Sequence, residues 1–483
     1  MIYFPEGRNT KYIVIRYYIF LKKLSRIMIV KNKFSGDQFI ELKDTDLPDA
    51  KSVLNNAKKA FQEMKELPSF EKYEALMKIS KELVNRREEF ARIISNEAGK
   101  PIKYSRGEAR RASITMLFSA EESKRIYGET IPMDVESRGK NRWAFYNRVP
   151  IGPVFSITPF NDPLNLVAHK VGPALAAGNS IVNKPASLTP YSGYKLNELV
   201  NNSGLPENAM QTVIGPGGGE VTDYFLKSDE IKKVTFTGGL EGADRLIKKA
   251  GIKKYSMELG SNSPVIVWND ADLDIATDAI VDAAMESQGQ NCIHSQRILI
   301  HKDVYNDLSK RLVEGVAKLK VGNPLDDTTD VGPMIAESEA IRVEKEVNSA
   351  VKNGAEVLIG GKRDGRFYLP TLVTKVRHDQ TLWHNEIFGP VSILQPIQSF
   401  EEAITMANDV PYGLQAGIYT HNLDIAMKAV QSLEFGAVLV NDTSDFRVDV
   451  MPFGGMKLSG LGREGIRFAI EEMTEIKLAI FRK

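Results

Sequence analysis

A single cysteine, Cys292, stands in the 483 residues, within Gln288-Gly289-Gln290-Asn291-Cys292. One cysteine can form neither an intrachain disulfide nor a multi-cysteine metal site. Most lone cysteines simply pack as small hydrophobes. Here the glycine and polar flanks resemble a turn more than a core strand. The thiol is therefore a candidate nucleophile, provided that a base and an oxyanion donor come from elsewhere in the chain. Glu258 is a candidate base: it follows Tyr255-Ser256-Met257 and precedes Leu259-Gly260. Apolar neighbours would desolvate its carboxylate and raise its pKa. Asn161 closes Pro159-Phe160-Asn161, and its side-chain amide could donate to a developing oxyanion. Taken singly, a solvated glutamate and an ordinary turn asparagine are the plainer readings.

A second set of residues suits a nucleotide. Phe236-Thr237-Gly238-Gly239 follows an expected strand, and Leu240-Glu241-Gly242 opens an expected helix. Glycines at such a turn let backbone approach a phosphate, and the helix N-terminus favours the anion. The spacing is not that of a strict GxGxxG pattern. Lys184 ends another strand, at Val182-Asn183-Lys184-Pro185, and Gly215 to Gly219 form a third glycine-rich edge. Each also reads as a plain surface turn or loop.

These residues need elements to carry them. Asp49 to Glu66 and Phe70 to Glu97 are expected helices. In the second, Leu76, Ile79, Leu83, Phe90 and Ile94 form one apolar stripe with a longer gap, and Gly99 and Pro101 end it. Arg142 to Val149 reads as an extended strand. Short apolar strands follow at 153–157, 180–183, 211–214, 233–236 and 264–267, with helices at 164–177, 191–202, 219–226 and 242–250 between the first four and after the fourth. A further alternating block includes strands at 297–300, 391–396, 416–419 and 437–440. Alternation of this kind implies parallel sheets covered by helices, hence an α/β protein. Two such units with few flexible joints leave a cleft between them.

Composition narrows the field. Hydrophobic residues make up 42% and charged residues 26%, and the net charge is +1. That is a globular profile with no electrostatic footprint for nucleic acid. The six histidines lack ligand-like spacing, so no metal is expected. One cysteine fits a reducing cytoplasm. Tyr12 to Leu21 is apolar, but it is too short to span a bilayer and contains Arg16. No small-residue cleavage site follows it. The favoured reading starts the native chain at Met28 and treats residues 1–27 as a non-native or disordered extension. A membrane-surface segment is the weaker alternative, and no membrane partner is expected.

Set in order, the motifs resemble the aldehyde dehydrogenase superfamily from about Asp49 onward. The matching segments are TPFN at 158–161, KP at 184–185, FTGG at 236–239, ELG at 258–260, GQNC at 289–292, EIFGP at 386–390 and PFGGMKLSGLGREG at 452–465. The resemblance implies a Rossmann-like cofactor domain (28–131 and 151–257), an α/β catalytic domain (258–455) and a small β oligomerisation segment (132–150 and 470–483). It implies Cys292 as the thiolate that attacks the aldehyde, Asn161 with the Cys292 N–H as the oxyanion hole, and Glu258 as the base that activates water. It places Thr158, Phe160, Lys184, Ser187, Gly215, Gly219, Thr237, Gly238, Gly239, Gly242, Glu386 and Phe388 around the cofactor. It also implies a homotetramer, or a homodimer, in which Arg142–Val149 and Glu475–Phe481 pair across subunits.

Two departures from the family pattern matter. Many NAD-using relatives have a glutamate three residues after the KP lysine, where this chain has Ser187. Losing that carboxylate removes repulsion against a 2′-phosphate, so NADP is the expected cofactor, with NAD possible. The second departure is polar: Asp162, Asn165, Asn291, His294 and Arg447 are expected around the substrate. Such a lining suits a small hydroxylated aldehyde, such as glyceraldehyde or lactaldehyde. Succinate semialdehyde or another anionic aldehyde is the alternative. From other classes, a cysteine hydrolase or thioesterase, or a non-catalytic binding protein on the same scaffold, would leave either the cofactor residues or Cys292, Glu258 and Asn161 unexplained.

Overall fold

Two parallel sheets, each of short buried strands, organise the chain in a computed structural model that describes residues 27–483. The expectation for residues 1–27 lies outside the described residues except at Ile27, which opens a strand. The first sheet has the spatial order Gly460–Leu461, Lys254–Glu258, Lys233–Thr237, Val154–Ile157, Ile181–Lys184, Met210–Thr212. All neighbours are parallel except Gly460–Leu461, which runs antiparallel to Lys254–Glu258. The chain builds outward from Val154–Ile157 in one direction, then returns to its other side with Lys233–Thr237. That reversal opens a crevice at the carboxyl ends of these two strands.

The second sheet runs Glu356–Ile359, Thr371–Thr374, Val391–Ile397, Ser295–His301, Ser263–Val267, Gln415–Tyr419, Ala437–Val440, parallel but for its first strand. Its central strands are buried along their whole length, which explains their continuous apolar runs. Arg297 crosses this core fully buried. Its guanidinium donates to Asn262 Oδ1 (2.7 Å) and to the carbonyls of Asn262, Met406 and Ala407. With no acidic hydrogen-bond partner among the described residues, it acts as a multivalent donor that ties the Asn262 segment and the last turn of the helix Phe400–Asn408 to the strand.

Most expected elements occur within a residue or two of their places. Three differences have local causes. The long helix expected over 70–97 is two helices, Ser69–Asn85 and Arg87–Ala98, which meet at Arg86 (φ −104°, ψ 19°). The break falls in the gap between Leu83 and Phe90, where the apolar stripe skips a turn. The strand at 264–267 belongs to the second sheet; Lys254–Glu258 continues the first instead. Finally, Arg142–Pro150 and Thr474–Arg482 pair antiparallel with each other over nine residues of this same chain, with Glu129–Ile131 as a third strand. The expectation that these two segments pair with each other across subunits is therefore corrected: they pair within the chain, and Thr474–Arg482 keeps its outer edge as the edge strand of this sheet. One face of the sheet they form stays apolar and open, with Ile476, Leu478 and Ile480 each about half exposed, and Trp143 and Phe481, exposed to the same degree, pack together on the opposite face.

Candidate active site

The register of the first sheet puts four chemistry-bearing positions in a row at one edge. Glu258 is paired with Thr237, Phe236 with Ile157, and Ile157 with Lys184; Thr158 follows Ile157 directly. Parallel strands all end on the same side, so Glu258, Thr237, Thr158 and Lys184 face one crevice. The hydroxyls of Thr158 and Thr237 are buried and have no hydrogen-bond partner among the described residues, and neither do both carboxylate oxygens of Glu258. Orphaned polar atoms on this scale mark groups that await a ligand or a reactant.

Lys184 is almost fully buried. Its ammonium donates to the Gly215 carbonyl (3.0 Å), and burial lowers its pKa to about 8 against the opposing pull of Asp44. Ser187 is partly exposed on the loop that follows. Gly219 caps the helix Glu220–Lys227 and Gly239 caps Leu240–Ala250, neither helped by a side chain. Around Gly215, Gly219 and Gly239 there is open space where a side chain would stand, and the first-turn N–H groups offer an anion site. Gly238 and Gly242 differ: a Cβ at either would meet the Phe236 ring, at 2.5 and 3.0 Å. Their lack of a side chain is used internally, to seat that ring.

Glu386 and Phe388 enter from the second unit. Glu386 accepts from the Ser261 N–H (2.9 Å), and burial raises its pKa to about 7. A Cβ at Gly260 would lie 2.6 Å from its carboxylate, so the ELG glycine makes room for Glu386. Phe388 holds a left-handed φ of 44° and packs edge-on against Phe160, with centroids 5.7 Å apart. Such strain in a non-glycine residue costs of order 1–3 kcal/mol and is held by its surroundings.

Cys292 lies between a tight turn and the strand Ser295–His301. In the turn, Glu286–Gly289, both Ser287 and Gln288 have left-handed backbone. A cavity of about 180 Å³ opens at Cys292, lined also by Asn161, Asp162, Asn291, Arg447, Lys100, Tyr104, Glu108, Arg111, Glu286 and Asp445. Burial pushes the Cys292 thiol pKa well up. Arg447 opposes this, while Glu386, Asp162 and Glu258 add to it. Burial, and then the neighbouring Glu464, hold the Glu258 carboxyl well above the usual range.

The cavity wall is ionic and internally paired. Lys100 bonds to Glu108 (2.7 Å) and to Asp162. Arg111 meets Asp449 (3.0 Å), which also takes His169 (2.8 Å). Glu464 bridges Lys170 (2.8 Å) and Arg447 (2.9 Å), and the Arg447 guanidinium lies 3.7 Å from the Phe453 ring centroid. Despite burial, the His169 hydrogen bond together with Arg111 and Arg447 holds Asp449 well below the carboxylate range, and Lys170 and Arg447 do the same for Glu464.

Two residues expected at the substrate do not face it. Asn165 is fully buried behind the wall: it accepts from Thr115 Oγ1 (2.9 Å) and donates to Asp449 (3.3 Å). The helix Asn165–Ala176 begins at this residue and turns it inward. His294 is directed into the second unit, its Nε2 3.0 Å from the Ala284 carbonyl, and burial keeps it neutral with a pKa of about 4. Asp162, Asn291 and Arg447 do line the cavity, and Asn291 donates to Asp445. Sequence reasoning missed Lys100, Glu108 and Arg111. Their signal was available: Tyr104, Glu108 and Arg111 recur at four and three residues, which places them on one face of the helix Ile102–Ser123.

A scaffold of two parallel sheets, with a cysteine and an orphaned carboxylate at a nucleotide-type crevice, defines a class of cofactor-dependent enzymes with a covalent step. The chain belongs to the aldehyde dehydrogenase family, whose model matches residues 20–479. It is 45% identical over 453 residues to the 3-sulfolactaldehyde dehydrogenase of Priestia aryabhattai, covering 94% of each chain. Among solved structures it resembles aldehyde dehydrogenase 21 from Physcomitrella patens in complex with the reaction product succinate (TM-score 0.92, 40% identity, 94% of this chain and 95% of that one). It also resembles the glyceraldehyde-3-phosphate dehydrogenase of Methanocaldococcus jannaschii complexed with NADP (TM-score 0.90, 38% identity, 94% and 99%). The protein is thus an NAD(P)-dependent aldehyde dehydrogenase.

The raised thiol pKa has a consequence for reactivity. Without cofactor or aldehyde, Cys292 should be largely protonated at neutral pH and react slowly with iodoacetamide. Its alkylation rate should keep rising from pH 7 to pH 10. A rate that levels off below pH 8, measured by intact-mass kinetics, would contradict the burial argument.

Proposed function

We propose that the protein oxidises a small hydroxylated aldehyde, such as glyceraldehyde or lactaldehyde, with Cys292 as nucleophile, Glu258 as base and Asn161 as oxyanion donor. The observation that carries the chemistry is the pair of Glu258 oxygens, buried without a hydrogen-bond partner among the described residues and close enough for their charge to act on the Cys292 thiol. Once its proton has passed to solvent, the Cys292 sulfur adds as the thiolate to the aldehyde carbon, and the carbonyl electron pair moves to oxygen. The Asn161 amide and the Cys292 N–H hold that oxyanion; donors of this kind contribute about 3–4 kcal/mol each. The carbon then loses its hydrogen with the bonding pair, and the C–S bond becomes part of a thioester. A nicotinamide held beside Glu386 and Phe388 would supply the two-electron oxidising power for that loss. Glu258 takes a proton from water, whose oxygen adds to the thioester carbon. Collapse expels the Cys292 sulfur and frees the carboxylic acid.

Lys184, Ser187, Thr158, Thr237 and the helix ends at Gly219 and Gly239 would hold the adenosine and phosphate end of the cofactor, and Glu386 and Phe388 the nicotinamide end. Ser187 leaves room for a 2′-phosphate, which supports NADP over NAD. The described site fits such a group: its orphaned hydroxyls and open glycines lie along one edge.

The substrate reading rests on the paired wall. Every cation at the cavity already has a carboxylate: Lys100 has Asp162, Lys103 has Asp330, Arg111 has Asp449 and Arg447 has Glu464. A neutral tail with hydroxyls suits that balance better than an apolar one. A second reading, an aldehyde with an anionic tail, is favoured by the Nε atoms of Arg111 and Arg447, which have no partner among the described residues. The sulfonate in one relative's name and the succinate in another's complex point the same way.

The open apolar face of the three-stranded sheet supports assembly into a homotetramer or homodimer. Deleting residues 475–483 should lower the molar mass seen by light scattering, or leave the protein insoluble. An unchanged mass would remove this face from the interface.

Glu258→Gln should form the acyl-enzyme but release it at least a hundredfold more slowly, whereas Cys292→Ala should form none. Rapid-quench mass spectrometry with aldehyde and cofactor reads the adduct directly. Loss of hydride transfer itself in Glu258→Gln would assign Glu258 to an earlier step.

Glyceraldehyde should show a kcat/KM at least tenfold above that of hexanal, because each buried hydrogen bond left unmade by an apolar chain costs about 1–3 kcal/mol. Succinate semialdehyde in the same panel separates the two readings. If it exceeds glyceraldehyde, the anionic reading stands; if hexanal leads, both fail.

A further inference from the structure

The adenosine-end corner of the crevice contains a carboxylate that the ribose motif itself lacks. Asp44 follows the strand Gln38–Lys43 and comes from far upstream of the Lys184–Ser187 segment. Its place is set by a short lattice of contacts. The Thr45 N–H donates to the Ile214 carbonyl (2.9 Å), and the Ile214 N–H donates back to Thr45 Oγ1 (3.0 Å). Val30, Leu42 and Ile214 pack together beneath. Gly215, next to Ile214, accepts the Lys184 ammonium (3.0 Å). The N-terminal hairpin is thereby joined to the loop that carries Gly215, and Asp44 is brought near Lys184: burial raises the pKa of the Asp44 carboxyl and lowers that of the Lys184 ammonium, and the charge of each opposes the shift of the other.

Asp44 Oδ1 is buried, yet no hydrogen bond reaches it from the described residues. A buried carboxylate oxygen left without a donor is costly to the fold unless a ligand supplies one. The ribose hydroxyls of a dinucleotide are donors of that kind, and they would lie against Lys184 on the reading proposed above. A 2′-phosphate in the same place has no such hydrogen to give, and its charge would meet the carboxylate at short range.

We propose that Asp44 is a specificity-determining residue for the cofactor: it supplies from the N-terminal hairpin the ribose-binding carboxylate absent at Ser187, and so opposes the NADP preference that Ser187 allows. This rests on the assignment of Lys184 to the adenosine ribose. The enzyme would then accept both cofactors, its ratio set by two positions rather than one.

Direct binding tests this apart from turnover. Calorimetric titration of the full chain with NAD and with NADP gives two Kd values for the native enzyme, Asp44→Asn and Asp44→Ser. Asp44→Asn keeps the shape and removes the charge. It should weaken NAD and tighten NADP, so that the ratio of the two Kd values moves about tenfold towards NADP. Asp44→Ser should move it the same way, and is read alone if the asparagine variant does not fold. A ratio that stays within twofold of native overturns the proposal, even if both affinities fall, since a merely structural residue would weaken both alike. Lys184→Ala is the control for the underlying assignment. If it weakens both cofactors while Asp44→Asn leaves the ratio unchanged, Asp44 alone is misassigned. If it leaves both affinities intact, the ribose assignment falls and the Asp44 proposal falls with it.

Discussion

Burying charge is the constraint on which this site depends. Asp449 and Glu464 are almost fully buried, in the segments that follow the last strand of the second sheet, and Arg111, His169 and Lys170 reach them from helices packed on the first. Asp449 takes Arg111 and His169, and Glu464 takes Lys170 and Arg447. Pairs of this kind give little net stability over apolar packing, but breaking one by removing a single partner costs about 3–5 kcal/mol. Their value here is positional. They set the loop that bears Asp445 and Arg447 against the helix that bears Arg111, and so define the cavity at Cys292.

The same network decides which carboxyl stays ionised. Glu464 keeps its charge because Lys170 and Arg447 surround it. Glu258, close by and without a hydrogen-bond partner, is left to hold a proton more readily. Two glutamates of one type thus acquire opposite tendencies from their neighbours, which is how a buried carboxyl becomes a usable base near neutral pH. Cys292 is governed similarly: its thiol is kept protonated by burial, and the Arg447 charge opposes that effect.

Much of this was legible in the sequence where short apolar strands end at glycine, proline or a lone polar residue. The strands that end at or just before Thr158, Lys184 and Thr237 were bounded to within a residue because chemistry and strand end coincide there. Lys254–Glu258 was not seen as a strand, since its start, Lys-Tyr-Ser, has no apolar run, although its last three residues are buried. The helix Ile102–Ser123 was missed for a related reason: arginines, a glycine and serines interrupt its apolar stripe, because one face serves the cavity. His294 and Asn165 were placed at the substrate by closeness in sequence to Cys292 and Asp162. Closeness along the chain says nothing about direction, and in both cases the following element turns the side chain into a core.

The pairing pattern of the first sheet has a consequence for how the molecule comes to exist. The sheet's edge strand, Gly460–Leu461, and the partner of Arg142–Pro150, Thr474–Arg482, both lie some 200 or more residues beyond the strands they join. During synthesis at about 5–20 residues per second, the early strands must wait tens of seconds for those partners. Meanwhile Lys254–Glu258 and Arg142–Pro150 present unpaired backbone to whatever is near. The second sheet lies wholly between these late contacts in sequence, and it can close before the first is finished. The half built on the first sheet would therefore be the last to complete, and the most exposed to chaperones or to misassociation with a neighbouring nascent chain.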